Sequence, residues 1–315
     1  MRAKSIAGRR VLVLTSALLV LVVLVAFGAG AASARPGHGH HGYHQSHKNH
    51  RTGRNHGFRR HGTYLALGDS VAFGYVPPNA VPPPNYLDAG SFAGYPEFLA
   101  QRLHEHVANA SCPGETSTSM LVAGAQSNGC ENSPGSPIGY RTGFPLHVQY
   151  AGTQMQYAVH YLRVHRHTRL VTIDIGANDA FLCQETTADQ CTSTAELAGV
   201  ASQITSNIGT IFQDLRNAGH YHGPIVALTY YSLSYSDPAQ IASAQFLDTT
   251  IAAATTANGG IVADGFGAFQ GPSAAYGGDP CAAGLLIKLP DGTCNIHPSP
   301  AGHKLLAKAI LKAIG

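Results

Sequence analysis

The chain lacks the sequence patterns of several common protein classes. Its 315 residues include six cysteines, but no two of them have the Cys-x-x-Cys spacing of a zinc site. No internal repeat is present, and no second linker interrupts residues 63–315. That segment also has no basic patch with interleaved aromatic residues, so nucleic acid is not an expected partner. We therefore expect residues 63–315 to form one large domain with a sizeable core.

Acidic residues are absent from the first part of the chain. All 17 Asp and Glu residues lie after residue 62, together with only half of the 20 Lys and Arg residues. The formal net charge of +3 therefore conceals an acidic domain that follows a basic N-terminal arm.

The first 34 residues have the three parts of a secretory signal peptide. A basic start precedes an almost unbroken apolar run over residues 11–27, and Ala32-Ser33-Ala34 matches a small-residue cleavage site. We predict export and cleavage, which would make the mature protein extracellular. The alternative is an uncleaved membrane anchor, because the run approaches the ~20 residues that span a bilayer.

Residues 35–62 are rich in histidine, arginine and glycine. The segment holds eight of the 18 histidines and almost nothing apolar, so it cannot offset its ordering entropy and should be disordered. The plainest interpretation is a solvated linker. Two further hypotheses are capture of a divalent metal by the clustered imidazoles and docking on an anionic surface.

The six cysteines predict disulfides and an oxidising destination. They fall into three locally spaced pairs flanked by small or turn-forming residues. Of the about 15 possible connectivities, sequential pairing closes the shortest loops. Each bridge should add on the order of 2–4 kcal/mol to the free energy of unfolding. The expected pairs are Cys112–Cys130, Cys183–Cys191 and Cys281–Cys294.

Strand and helix patterns alternate after residue 62. Apolar runs typical of buried parallel strands occur at residues 64–67, 107–111, 170–175, 225–229 and 260–263. Helical patterns occur at residues 95–106, 149–164, 194–218, 238–256 and 299–314. The alternation predicts an α/β fold, with a mostly parallel sheet covered by helices on both faces. Long Gly- and Pro-rich links at residues 76–91, 130–144 and 266–297 are typical of segments that build binding sites.

Four short motifs carry groups suited to ester hydrolysis. Gly68-Asp69-Ser70 turns the chain directly after the first strand, where a serine can project into a cleft. Such a serine needs a base for its proton and donors for the developing oxyanion. Gly114 follows the second strand, Asn178 follows the third, and His297 precedes the last helix. Each motif alone is common, but the four in this order are not.

With Gly68-Asp69-Ser70, Gly114, Gly176-Ala177-Asn178-Asp179 and His297-Pro298, residues 63–315 resemble the SGNH hydrolase family of GDSL-type lipases and esterases. They look most like its secreted actinobacterial members with three disulfides. The resemblance implies a three-layer α/β/α, flavodoxin-like fold with a five-stranded parallel sheet. It implies Ser70 as nucleophile, His297 as general base, and an oxyanion hole from the Ser70 and Gly114 backbone N–H groups and the Asn178 amide. Neither a metal nor a cofactor is expected.

One position departs from the family pattern. Cys294 stands three residues before His297, where the family often has an aspartate that orients the histidine. We expect the main-chain carbonyl of Cys294 to take this role, helped by a bridge to Cys281, with Asp291 as the alternative. His303 is an alternative base, and its position within the last helix argues against it.

Other residues have supporting roles in this interpretation. Asp69 and Asp179 should brace the turns that present the nucleophile and the asparagine. Aromatic residues expected near an acyl group are Phe73, Tyr75, Tyr86 and Phe181.

The sequence therefore predicts a secreted, monomeric serine carboxylic-ester hydrolase, a lipase or esterase whose substrate is a lipid or small acyl ester. One alternative is an esterase that removes O-acetyl groups from carbohydrate or the cell envelope. An alternative of another class is a protein that binds metal or a surface through residues 35–62.

Overall fold

The computed structural model describes residues 62–315. Five parallel strands form the central sheet in the order β2-β1-β3-β4-β5. The strands are β1 Thr63–Gly68, β2 His106–Asn109, β3 Thr168–Asp174, β4 Ile225–Leu228 and β5 Ile261–Ala263. This is the flavodoxin-like strand order, so the predicted α/β fold with a five-stranded parallel sheet is confirmed. The predicted signal peptide (1–34) and, apart from Gly62, the histidine-rich segment (35–62) lie outside the described residues.

Continuous apolar runs form these strands because helices cover both faces of the sheet. In β1 the four residues from Tyr64 to Leu67 have no exposed surface, and β4 is buried throughout. Burial on both faces explains why the runs show no alternation of polar and apolar residues.

The helices form two groups. They are α1 Ser70–Phe73, α2 Tyr95–Leu103, α3 Tyr140–Gly143, α4 Gln154–Val164, α5 Ala177–Thr186, α6 Thr194–Gln213, α7 Pro238–Ala257, α8 Gly265–Ala274 and α9 Pro300–Ile314. Helix α9 packs against α2 and α8, whereas α6 packs against α5 and α7. Because crossovers between parallel strands are almost always right-handed, this strand order is expected to put the two groups on opposite faces of the sheet. Within residues 62–315, none of the helices combines the length and apolarity that a membrane span needs.

A separate antiparallel hairpin precedes α9. Its strands are β6 Leu286–Lys288 and β7 Cys294–Pro298. The sequence pattern predicted only a long link over residues 266–297. The strands are three and five residues long and only partly buried, so they leave little hydrophobic periodicity to detect. His297 therefore lies on a strand.

Three disulfides tie the loops of the described residues together. They link Cys112 to Cys130, Cys183 to Cys191, and Cys281 to Cys294, and no cysteine of the chain is left free. The third bridge joins the segment after α8 to the first residue of β7.

The strand order locates a cleft at the carboxyl ends of β1 and β3. From β1 the chain crosses to β2 on one side, and it then returns to β3 on the other side of β1. Ligands of open α/β sheets bind at such a switch point. The residues that follow β1 and β3, among them Ser70 and Asn178, therefore meet at this edge.

Candidate active site

Ser70 is the first residue of the short helix α1, directly after β1. The Oδ1 atom of Asp69 caps this helix by accepting from the backbone N–H of Val71 at 2.9 Å. The backbone N–H of Asp69 donates to the carbonyl of Asp174 at the end of β3 at 3.1 Å. The turn is thus fixed by its own helix and by the neighbouring strand, and Ser70 stays partly exposed.

The structure brings His297 onto Ser70 from a position 227 residues away, with 2.9 Å between its Nε2 and the serine Oγ. Residues outside β7 hold this strand and its imidazole in place. The Tyr231 hydroxyl donates to the carbonyl of Ile296 at 2.7 Å. The ring of Tyr75 lies 5.0 Å from the His297 ring, measured between centroids.

Burial lowers the pKa of His297 to about 4, because a buried site disfavours the charged imidazolium. The ring is therefore neutral at neutral pH. A neutral imidazole at hydrogen-bond distance from the hydroxyl is the form that can accept its proton.

Gly114 lies in the loop after β2 with a φ of +81°, a conformation that favours glycine. A Cβ at this position would lie 2.4 Å from the carbonyl oxygen of Asn128. The carbonyl of Gly114 accepts from the backbone N–H of Asn128 at 2.8 Å. Within residues 62–315, neither the backbone N–H of Gly114 nor that of Ser70 donates a hydrogen bond to the protein. Both remain available to a ligand.

Asn178 lies in the first turn of α5, just after β3. Its Oδ1 accepts from Nδ2 of Asn128 at 3.3 Å, and its own Nδ2 donates to Oδ2 of Asp69 at 3.2 Å. These two contacts fix which way the amide faces and leave one N–H of Nδ2 for a ligand. Asn128 thus contacts both Gly114 and Asn178. Sequence reasoning missed Asn128, since nothing in its local pattern indicates a contact across 50 residues.

A buried carboxyl pair, Asp69 and Asp174, lies next to Ser70. Asp69 also accepts from the hydroxyl of Tyr230 at 2.7 Å. Burial raises the pKa of both Asp69 and Asp174. Burial first, and then repulsion by Asp69, hold the pKa of Asp174 well above its ordinary value. Asp69 is the member of the pair that accepts hydrogen bonds from the Tyr230 hydroxyl and the Asn178 amide.

Two further polar contacts join the elements around the cleft. Asp179 accepts from the backbone N–H and Oγ of Ser117 at 2.8 and 2.6 Å, which ties α5 to the loop after β2. Burial raises its pKa to about 6. Gln154 of α4 hydrogen-bonds both the N–H and the carbonyl of Gly68 and donates to Glu115. Burial raises the pKa of Glu115 to about 7. Gln154 was not expected from the sequence.

The structure corrects the expected partner of the histidine Nδ1. Asp291 is exposed in the β6–β7 turn, and its carboxylate accepts from the N–H and hydroxyl of Thr293. Nδ1 of His297 instead lies 2.5 Å from Oδ1 of Asn295. Asn295 is two residues before the histidine on the same strand, so both side chains point to one side. Within residues 62–315, the Cys294 carbonyl makes no hydrogen bond to the ring. The sequence-based choices, the Cys294 carbonyl and Asp291, therefore give way to Asn295.

His303 is in α9 with 3% of its surface exposed, and it makes no hydrogen bond to Ser70. Burial and the neighbouring His297 lower its pKa to about 3. Two groups of side chains within residues 62–315 are close enough to share a metal ion, but each contains two cysteines joined in a disulfide. Those sulfurs cannot act as thiolate ligands.

An aromatic wall adjoins the histidine. Tyr75 lies between His297 and the other rings, with centroid distances of 6.1 Å to Tyr86 and 6.2 Å to Tyr140. Phe144 contacts Tyr86 at 5.1 Å and is 39% exposed. The wall consists of Phe73, Tyr75, Tyr86, Phe92, Tyr140 and Phe144. Three of the four aromatic residues expected from the sequence belong to it, whereas Phe181 lies on α5.

Comparison with known proteins gives a family match. The GDSL-like Lipase/Acylhydrolase family matches residues 66–305. Among solved structures, an acetylxylan esterase from Geobacillus stearothermophilus is 18% identical over 81% of this chain and 94% of that chain, with a TM-score of 0.46. A putative GDSL-like lipase from Parabacteroides merdae is 13% identical over 80% and 94%, with a TM-score of 0.49. Likeness at this level gives no information on substrate. No curated protein matches the chain.

Proposed function

The chain belongs to the GDSL-like lipase/acylhydrolase family and is therefore a carboxylic-ester hydrolase, and we propose that it cleaves its ester through an acyl-enzyme on Ser70. The observation that carries the proposal is the 2.9 Å contact between Ser70 Oγ and His297 Nε2. A neutral imidazole at this distance is arranged to take the hydroxyl proton as the oxygen attacks.

The first half of the reaction forms the acyl-enzyme. His297 accepts the Ser70 proton, the serine oxygen bonds to the ester carbonyl carbon, and the carbonyl oxygen becomes an oxyanion. The N–H groups of Ser70, Gly114 and the Asn178 amide hold that oxyanion. Each such donor is worth roughly 10²–10³ in kcat. The imidazolium then protonates the alkoxide as the bond between carbonyl carbon and alcohol oxygen breaks.

The second half repeats these steps with water. His297 takes a proton from water as the hydroxide attacks the acyl carbon, and the same three donors hold the second oxyanion. Collapse of that intermediate expels the serine oxygen, which regains its proton from His297. The carboxylic acid leaves, and the enzyme returns to its starting state.

The aromatic wall favours a substrate with a bulky apolar group over a small acetyl ester. Phe73, Phe92 and Tyr140 of the wall are buried. Its partly exposed rings are Tyr75, which contacts the histidine, together with Tyr86 and Phe144, and these can offer apolar surface to a ligand. Burying apolar surface contributes roughly 25 cal/mol per Å², so a longer or aromatic group gains from this wall whereas an acetyl group gains little.

An extracellular location is also part of the proposal. Three disulfides are typical of proteins that fold in an oxidising compartment, and residues 1–34 have the pattern of a cleaved signal. Mass spectrometry of protein from the culture medium should give an N-terminus at Arg35. An intact N-terminus on membrane-bound protein would contradict this.

The function is tested with p-nitrophenyl esters from acetate to dodecanoate. We expect kcat/KM to rise from the acetate towards medium acyl chains, and we expect Ser70→Ala to abolish the activity on every ester. Full activity of folded Ser70→Ala would refute the acyl-enzyme. A maximum at the acetate would favour the O-acetyl esterase alternative and remove the role given to the aromatic wall.

A further inference from the structure

The side chain of Asn295 makes two contacts with His297. Its Oδ1 accepts from the backbone N–H of His297 at 3.1 Å and lies 2.5 Å from the ring Nδ1. The first contact is the turn that asparagine side chains form with the backbone two residues later. It requires an acceptor, so it identifies the atom that faces the ring as the carbonyl oxygen and not the amide nitrogen.

This identity determines the tautomer of the histidine. An oxygen acceptor at Nδ1 requires the ring proton to be on Nδ1, which leaves Nε2 with a free lone pair. Nε2 is the nitrogen at 2.9 Å from Ser70 Oγ. The Asn295 contact therefore puts the lone pair where the serine proton must go.

The strand around Asn295 is held on both sides of it. Cys294 is bonded to Cys281, and Pro298 pairs with Leu286 of β6. The carbonyl of Ile296 accepts from the Tyr231 hydroxyl at 2.7 Å. The backbone around Asn295 is therefore held in place. A residue can fix the orientation of a neighbouring side chain only if its own position is fixed in this way.

No carboxylate contacts the ring in residues 62–315. The ring faces Ser70 and Tyr75 across the cleft, Asn295 on its own strand, and His303 of α9. Tyr75 and His303 are the titratable members of this set. An amide oxygen can orient the imidazole as a carboxylate does, but it supplies no full negative charge to stabilise the imidazolium.

We propose that Asn295 is the positioning residue of His297, and that its side-chain carbonyl occupies the place of the carboxylate in a Ser-His-Asp triad. The proposal rests on the proposed function, in which His297 is the base. It predicts a site that works with a neutral third member. Replacing the amide by a carboxylate should therefore change the titration of the histidine without changing its position.

Three variants test the proposal by steady-state kinetics over a range of pH. Asn295→Ala should lower kcat roughly 10- to 10³-fold, within the span of general-base catalysis, with KM changed less than about twofold. Asn295→Asp should keep most of the activity and move the acid limb of kcat/KM upward by about one pH unit or more. Asp291→Asn removes the exposed carboxylate of the hairpin and serves as the matched control. Its kcat should stay within about twofold of the wild-type value.

A second readout does not depend on substrate. Nitrogen-15 NMR of the histidine ring, assigned with His297→Gln, should show the proton on Nδ1 in wild type and a larger share of the Nε2-protonated form in Asn295→Ala. If hydrolysis by the wild-type protein did not depend on Ser70, the proposed function would be refuted. The NMR result would still decide whether Asn295 sets the tautomer of His297. The proposal is overturned if the tautomer is unchanged in Asn295→Ala, if Asn295→Asp leaves the acid limb in place, or if Asp291→Asn loses several orders of magnitude in kcat.

Discussion

The two sides of the active site are built in different ways. Ser70, Gly114 and Asn178 follow strands of the main sheet. The hydrogen bonds that support this side involve Asp69, Asn128, Gln154 and Tyr230, and most of them are buried. His297 comes from a hairpin outside that sheet, next to Ile296, which is 41% exposed. The proposed nucleophile and oxyanion donors are thus held by the folded core. The proposed base is held by Asn295 and by the few contacts of its hairpin, which a substitution can alter while the core stays intact.

The largest effect on the sheet side is expected from Gly114→Ala. The new Cβ would meet the Asn128 carbonyl at 2.4 Å, so the loop must move and the Gly114 N–H leaves its position. We expect kcat to fall roughly 10²–10³-fold, the value of one oxyanion donor. The matched control is Gly292→Ala in the β6–β7 turn, where φ is +87° but no atom lies within 4 Å of the added Cβ.

Both variants carry the cost of placing alanine in the left-handed region, about 1–2 kcal/mol in the free energy of unfolding. Only Gly114→Ala should lose activity, while Gly292→Ala should stay within about threefold of wild type because it loses no oxyanion donor. Chemical denaturation and steady-state kinetics on the same samples separate the two quantities. Equal loss of kcat in both variants would remove the distinction between the two sides.

An intermediate effect is expected from removing the bridge that anchors β7. The Cys281–Cys294 bridge spans 13 residues and Cys183–Cys191 spans 8, so replacing either pair by serine should cost a similar stability of about 2–3 kcal/mol. Only loss of Cys281–Cys294 should displace the histidine, and a small displacement lowers kcat roughly 10- to 10²-fold. If removal of Cys183–Cys191 reduced kcat as strongly, the hairpin would have no special role.

The smallest effect concerns pH. Burial places the pKa of His297 at about 4, and only the neutral ring accepts the serine proton. Protonation of His297 should therefore abolish activity as pH falls through about 4. From about pH 5.5 to 7 the ring stays neutral, so the histidine itself should add no pH dependence to kcat/KM. Circular dichroism at each pH shows whether the fold persists. An acid limb at or above the ordinary histidine pKa of ~6.5 would mean that the ring is not buried from water in solution.

The sheet side was predictable from sequence because its signals are local. Buried parallel strands appear as apolar runs, and the motifs with Ser70, Gly114 and Asn178 stand directly after three of them. What could not be predicted are the contacts that cross the chain. Asn128 reaches Asn178 over 50 residues, and Gln154 reaches Gly68 over 86. Such partners are determined by how the elements pack, which a local pattern does not contain.

The histidine side was predictable only at one residue. His297 could be found from its motif, but the hairpin that carries it has short strands with no clear alternation. The family spacing of three residues pointed to Cys294, and Asp291 was the alternative. Side chains two residues apart on a β-strand lie on the same side, which places Asn295 next to the ring. The sequence did not show that His297 lies on a strand, so it did not show which neighbouring side chain shares its side of that strand.

Covalent trapping shows directly whether Ser70, activated by His297, is the nucleophile. Wild-type protein is incubated with a fluorophosphonate ester, and its intact mass and peptide map are measured beside Ser70→Ala and His297→Ala. We expect one adduct on the peptide that contains Ser70, none on Ser70→Ala, and a labelling rate for His297→Ala lower by roughly 10²–10⁴-fold. An adduct on another residue, or equal labelling of Ser70→Ala, would contradict it.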